Sequence, residues 1–117
     1  MRTPTKTPRL AHERLLGLLG LGRRGGRLVL GVDRVRRGLQ AEEICCVVVA
    51  RDVSARAQDK VVRLAVAKGI PIIAGPDATV LGDRLGISAG VMAVGVVDRA
   101  LARGLLISSP AASLMED

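Results

Sequence analysis

Gly31, Asp33, Arg34 and Arg37 are spaced at i, i+2, i+3 and i+6, four residues downstream of Arg27. Neither a nucleophile with its base nor a metal-ligand set can be drawn from them; what these types can do together is meet an anion. A glycine at the end of a strand lets a ligand's backbone approach with no Cβ in the way. If a helix starts immediately afterwards, the free N–H groups of Val32, Asp33 and Arg34 point outward and can hold a phosphate or the acceptor edges of bases. Arg34 and Arg37, three apart, project from one helix face and can follow a phosphate track or read a guanine edge. Asp33 can accept from guanine N–H groups. Arg36 adds a third cation. Three guanidinium groups near a helix start oppose the helix dipole, so the pattern asks for something negative to meet them.

Several elements must position these residues. "RLVL" (27–30) reads as a strand and 32–40 as the helix that follows. Before them, 9–22 reads as a helix with Leu15, Leu18 and Leu19 on one face. "ICCVVVA" (44–50) and "VMAVGVV" (91–97) are continuously apolar, as buried strands are, and "IPIIA" (70–74) is a third, pushed to a sheet edge by Pro71. Ser54 is placed to cap a helix over 55–68 that Gly69 stops; Asp77 and Asp98 are placed to cap helices over 78–85 and 99–106. Strands separated by helices predict a single α/β domain over 9–107, its parallel or mixed sheet sandwiched between helices. Residues 1–8 read as a disordered basic tail and 108–117 as a flexible C-terminal tail.

The charge supports an anionic partner. Of the 117 residues, 18 are Lys or Arg and 11 Asp or Glu, and the net charge of +7 is concentrated in the first forty residues, which hold ten cations against Glu13 and Asp33. Such asymmetry points to nucleic acid before membrane. With no Phe, Tyr or Trp, the chain cannot stack single-stranded bases as sheet-surface and barrel RNA readers do, and its core must be aliphatic.

Other possible chemistry is poorly supported. "GLGRRG" (20–25) matches a dinucleotide-binding string, but a helix precedes it and a strand follows, the reverse of what pyrophosphate binding needs. His12, the sole histidine, has no nucleophile or carboxylate arranged with it. Cys45 and Cys46 are adjacent, would face opposite sides of a strand, and read as buried small hydrophobes in a reducing cytosol. "LLGLLGLG" (15–22) resembles a signal-peptide core but lacks a cleavage site, so export is not expected. No catalytic residue, metal or cofactor is expected, nor any membrane association.

"LLGLLGLGRRGGRLVLG", "VVVARDVS", "KGIPII" and "VLGDRLGISAGVMAVGVVDRALARGLL" together resemble, in order and spacing over residues 13–106, the kink-turn RNA-binding family of ribosomal proteins that includes the bacterial YlxQ proteins. The resemblance implies a three-layer α/β/α sandwich with a four-stranded mixed sheet, and binding of a sharply bent RNA without chemistry. In that family a Gly-x-Asn-Glu-x-x-Lys helix start reads the sheared G·A pairs at the bend. On this chain the Gly falls on Gly31, the Asn on Asp33, the Glu on Arg34 and the Lys on Arg37. A second loop, "GISAG" (86–90), would give Ile87 and Ser88 as contacts to an extruded base, and two positions basic in some relatives are Ala78 and Ala89. Arg34 in place of Glu removes an acceptor for guanine and adds a phosphate-seeking donor, trading sequence specificity for general affinity.

The expected function is therefore that of a monomeric, cytoplasmic RNA-binding protein acting on ribosomal or other structured non-coding RNA. Arg27, Arg34 and Arg37 would hold the backbone, Gly31, Val32 and Asp33 would approach the bases, and Ile87 with Ser88 would meet an unstacked base. The competing class is a protein-interaction module of a larger assembly. A nucleotide-binding enzyme using Gly20–Gly25 is the third.

Overall fold

The computed structural model describes residues 6–108, with side chains from residue 12 onward. The element order is α1 (Lys6–Arg24), β1 (Leu28–Leu30), α2 (Val32–Gln40), β2 (Cys46–Val49), α3 (Ala55–Ala57) running through a π-helical turn (Gln58–Val62) into α4 (Arg63–Ala67), β3 (Ile72–Ala74), α5 (Ala78–Leu85), β4 (Ala93–Val96) and α6 (Arg99–Ser108). The sheet order is β1-β4-β2-β3. β4 is antiparallel to both β1 and β2, while β2 and β3 are parallel, so the sheet is mixed. β3 lies at an edge, where Pro71, which has no N–H to donate, is tolerated.

Period-2 alternation in β2 divides the core in two. Cys46 and Val48 pack with Leu15, Leu19, Leu81 and Leu105 beneath α1, α5 and α6. Val47 and Val49 face the other way, onto Val35 and Leu39 of α2 and Val61 and Ala65 of the α3–α4 rod. This is the three-layer α/β/α sandwich expected, and it explains why β2 and β4 read as unbroken apolar runs: both faces are covered.

Three local expectations change. α1 begins at Lys6, inside the stretch read as tail, with Pro8 in its first turn where a missing N–H costs nothing; residues 1–5 lie outside the described residues. α6 runs to Ser108, two residues past its expected end, and 109–117, the remainder of the expected C-terminal tail, also lies outside them. Cys45 precedes β2 instead of belonging to it, so both cysteines pack with the same layer and do not face opposite sides. Both thiols are free. Burial, then the neighbouring Cys45, pushes the Cys46 thiol up from the ordinary 9.0 to about 12.

Candidate nucleic-acid interface

The ends of the strands sort the loops into two groups. Gly31 follows β1 and donates its N–H to the Ala93 carbonyl at 2.9 Å, at the start of β4. Val49 pairs with Ala93 and with Ala74. The start of α2, the loop after β2, the loop after β3 and the 86–90 loop leading toward β4 therefore all emerge at one end of the sheet. That end brings together Gly31, Val32, Asp33 and Arg34 with Ile87 and Ser88.

Gly31 has φ 99 and ψ 152, a conformation that strains any residue with a Cβ, and it turns the chain abruptly from strand to helix. No side chain caps α2, which leaves the first-turn amides as uncapped donors. Asp33 and Arg34 are exposed and Val32 is half-buried. Among the described residues neither Arg34 nor Arg37 makes an ion pair or a side-chain hydrogen bond. Asp33 is engaged by Lys60, whose Nζ lies 3.6 Å from its Oδ1.

The three arginines of α2 have three different situations. α2 has only nine residues, and Arg37 already belongs to its last turn, where a cation suits the helix dipole. Arg36 turns toward the neighbouring rod and donates from Nη1 to the Lys60 carbonyl at 2.8 Å, tying α2 to the π turn. The unfavourable placement inferred for all three therefore applies to Arg34 alone.

Arg27 is not brought to this end. It lies beyond the opposite end of β1, with Nη1 3.5 Å from Asp98 Oδ2. Asp98 in turn accepts from the Leu101 N–H at 2.8 Å, capping α6 as its sequence position suggests. Ser54 likewise caps α3, accepting from the Ala57 N–H at 3.1 Å. Asp77 does not cap α5. The cap comes from Asp52, 26 residues upstream, whose Oδ1 accepts from the Ala78 N–H at 2.9 Å, while Asp77 pairs with Arg51 at 2.7 Å. Sequence distance hides this exchange: the β2 and β3 loops meet only because those strands are parallel neighbours.

The 86–90 loop is set by tight packing. Gly86 ends α5 with φ 80, and the Ile87 N–H closes the turn on the Gly82 carbonyl at 2.8 Å. A Cβ on Gly82 would sit 2.6 Å from Gly90 Cα and on the Ile87 carbonyl, so only glycine lets α5 lie this close to the loop. Ile87 is half-buried, packed against the core cluster that includes Leu81 and Leu85, whereas Ser88 is exposed. Ala78 and Ala89, the two positions basic in some relatives, add no charge here. "GLGRRG" runs from inside α1 into the turn before β1, with its helix before and its strand after. Among the described residues there is no His/Cys/Asp/Glu cluster able to hold a metal ion, and no helix long and apolar enough to cross a membrane.

A small mixed-sheet α/β/α domain, with a glycine-opened helix start and a second loop at one sheet end, defines a compact binding domain. The chain belongs to the ribosomal protein L7Ae/L30e/S12e/Gadd45 family, whose model matches residues 13–105. Its fold is similar to that of a protein of unknown function from Bacillus halodurans C, at 24% identity and a TM-score of 0.76, covering 81% of this chain and 95% of that one. It is also similar to the Giardia lamblia 15.5 kD RNA binding protein, at 16% identity and a TM-score of 0.72, covering 90% and 89%. No curated protein matches in sequence.

Proposed function

We propose that this chain is a non-catalytic RNA-binding protein that docks a bent, kink-turn-like RNA on the sheet end carrying the α2 start. The observation that carries the reading is Arg34: an exposed cation in the first turn of an uncapped helix, without an ion-pair partner among the described residues, shortly after a glycine at φ 99. A phosphate placed there would meet the guanidinium and the amides of residues 32–34 together. Arg37, in the position where the family resemblance puts a Lys, holds backbone further along α2. Asp33 accepts from base N–H groups, and Ile87 and Ser88 meet an unstacked base from the second loop. Membership of a ribosomal-protein family and the fold shared with an RNA binding protein support this reading. The same family membership supports a cytoplasmic place beside the ribosome. Arg27 stands outside the interface in this reading.

The test is a titration of a kink-turn RNA at several salt concentrations. Affinity falls steeply with salt, and Arg37→Ala lowers both the affinity and the salt slope, the latter by about one unit. Salt-insensitive binding, or an Arg37→Ala protein identical to wild type, contradicts the proposal.

A groove of about 610 Å³ favours the second reading, a protein-interaction module. It lies at the opposite sheet end, lined by Ile44, Cys45, Ile70, Leu106 and the highly exposed Ile107. Purification discriminates: co-purifying RNA absorbs at 260 nm against a protein without Tyr or Trp, and its absence alongside a stoichiometric protein partner favours the module.

A further inference from the structure

α2 and the α3–α4 rod both begin at the interface end of the sheet and lie side by side in one layer, joined by the Arg36 to Lys60 hydrogen bond and the Lys60–Asp33 ion pair. Lys60 therefore marks the rod face that borders α2. Arg56 and Arg63 lie on the same rod within one turn before and after Lys60, and both are exposed. On the α2 side, Asp33 marks the border and Arg37, four residues on, continues it. The carboxylates of these two elements are only Asp33 and Asp59, and both are already engaged, Asp59 by Arg63 at 3.7 Å. Six cations stand against those two acids. Arg56 is exposed without a partner among the described residues, and the Arg63 side chain is 79% exposed.

A face with more cations than carboxylates that adjoins the proposed phosphate-binding tip fits a polyanion longer than the tip itself. From the proposed RNA-binding function, on which this inference rests, we infer that the interface extends past the tip. The backbone of one duplex arm of the RNA would run along the furrow between α2 and the rod, with Arg56, Lys60 and Arg63 on its phosphates. The cations of the other layer do not continue from the tip: Arg23 and Arg24 close α1, where the helix dipole favours them, Arg84 stands on α5, and Arg99 and Arg103 of α6 line the groove at the opposite sheet end.

The experiment uses two RNAs with the same kink-turn, one trimmed close to the bend and one with an arm longer by about one helical turn, roughly ten base pairs. With the long-armed RNA, the double variant Arg56→Ala/Arg63→Ala lowers the log–log salt slope by about two, one for each phosphate no longer neutralised. With the trimmed RNA it binds as wild type. Asp59→Asn, which removes a carboxylate from the track and frees Arg63, tightens binding of the long-armed RNA several-fold, a gain that misfolding cannot produce. Unchanged slopes for the double variant on the long arm, or equal losses on both RNAs, overturn the inference while Arg37→Ala still loses affinity. If wild type binds neither RNA in a salt-dependent way, it is the function proposed above that fails.

Discussion

Lys60 Nζ reaches across the layer to within 3.6 Å of Asp33 Oδ1, so the one acidic side chain in the first turn of α2 is neutralised by the neighbouring rod. With the Asp33 side chain 77% exposed, the pair contributes little to stability, on the order of 0–1 kcal/mol. Its effect falls on the proposed interface: it would weaken the repulsion that a carboxylate exerts on an approaching phosphate, while occupying a cation.

Asp33→Asn keeps an acceptor, removes the negative charge and releases Lys60. Affinity for a kink-turn RNA should rise a few-fold at low salt, with a salt slope steeper by about one, as read by fluorescence titration. Weaker binding would show that the carboxylate charge itself is needed for base recognition.

Arg34→Glu restores the acceptor that the family pattern places here. General affinity should fall, because a phosphate-seeking cation becomes an anion. Discrimination between a kink-turn with G·A pairs and a control lacking them should rise by about 1–3 kcal/mol, the worth of a good bidentate base contact. Competition binding measures both, and a variant that loses affinity without gaining discrimination contradicts the assignment of Arg34.

Arg36→Ala separates a structural arginine from a binding one. Its guanidinium is tied to the Lys60 carbonyl at 2.8 Å in a part-buried setting, so its loss should cost about 1–2 kcal/mol of folding stability. Circular-dichroism denaturation measures this, since the chain has no Trp or Tyr for fluorescence. The salt slope for RNA should stay that of wild type; a drop of one unit would place Arg36 on RNA.

The arginines of α2 show how far the sequence could be read. Local rules found the elements, because each depends on residues close in the chain: the 32–40 helix, the edge strand with Pro71, the Ser54 and Asp98 caps. The same rules placed Gly31, Asp33 and Arg34 at one helix start. They failed where the outcome depends on which loops meet. Nothing near Asp77 signals that Asp52 would take its capping role. No local pattern reveals that Arg36 would turn to a carbonyl 24 residues away, or that the rod would open into a π turn at Gln58–Val62. Arg27 is close to the constellation in sequence, but a three-residue extended strand carries it to the far end.

Cys46 gives the chain an alkaline signature. Its folded thiol titrates at about 12 against an ordinary 9.0, so the folded state holds a proton that the unfolded chain has released. The contribution to stability is complete below pH 9 and is lost as pH rises toward 12. Cys46→Ala should therefore lose less stability than wild type between these limits in denaturation midpoints followed against pH. Parallel curves would show that the thiol ionises without hindrance in the fold.

The most direct test of the RNA-docking account is amide chemical-shift mapping by NMR, with kink-turn RNA titrated into isotope-labelled protein. The account predicts the largest shifts at Gly31, Val32, Asp33 and Arg34, with a second group at Ile87 and Ser88. Shifts centred instead on Cys45, Ile70 and Arg103, at the opposite sheet end, would contradict it.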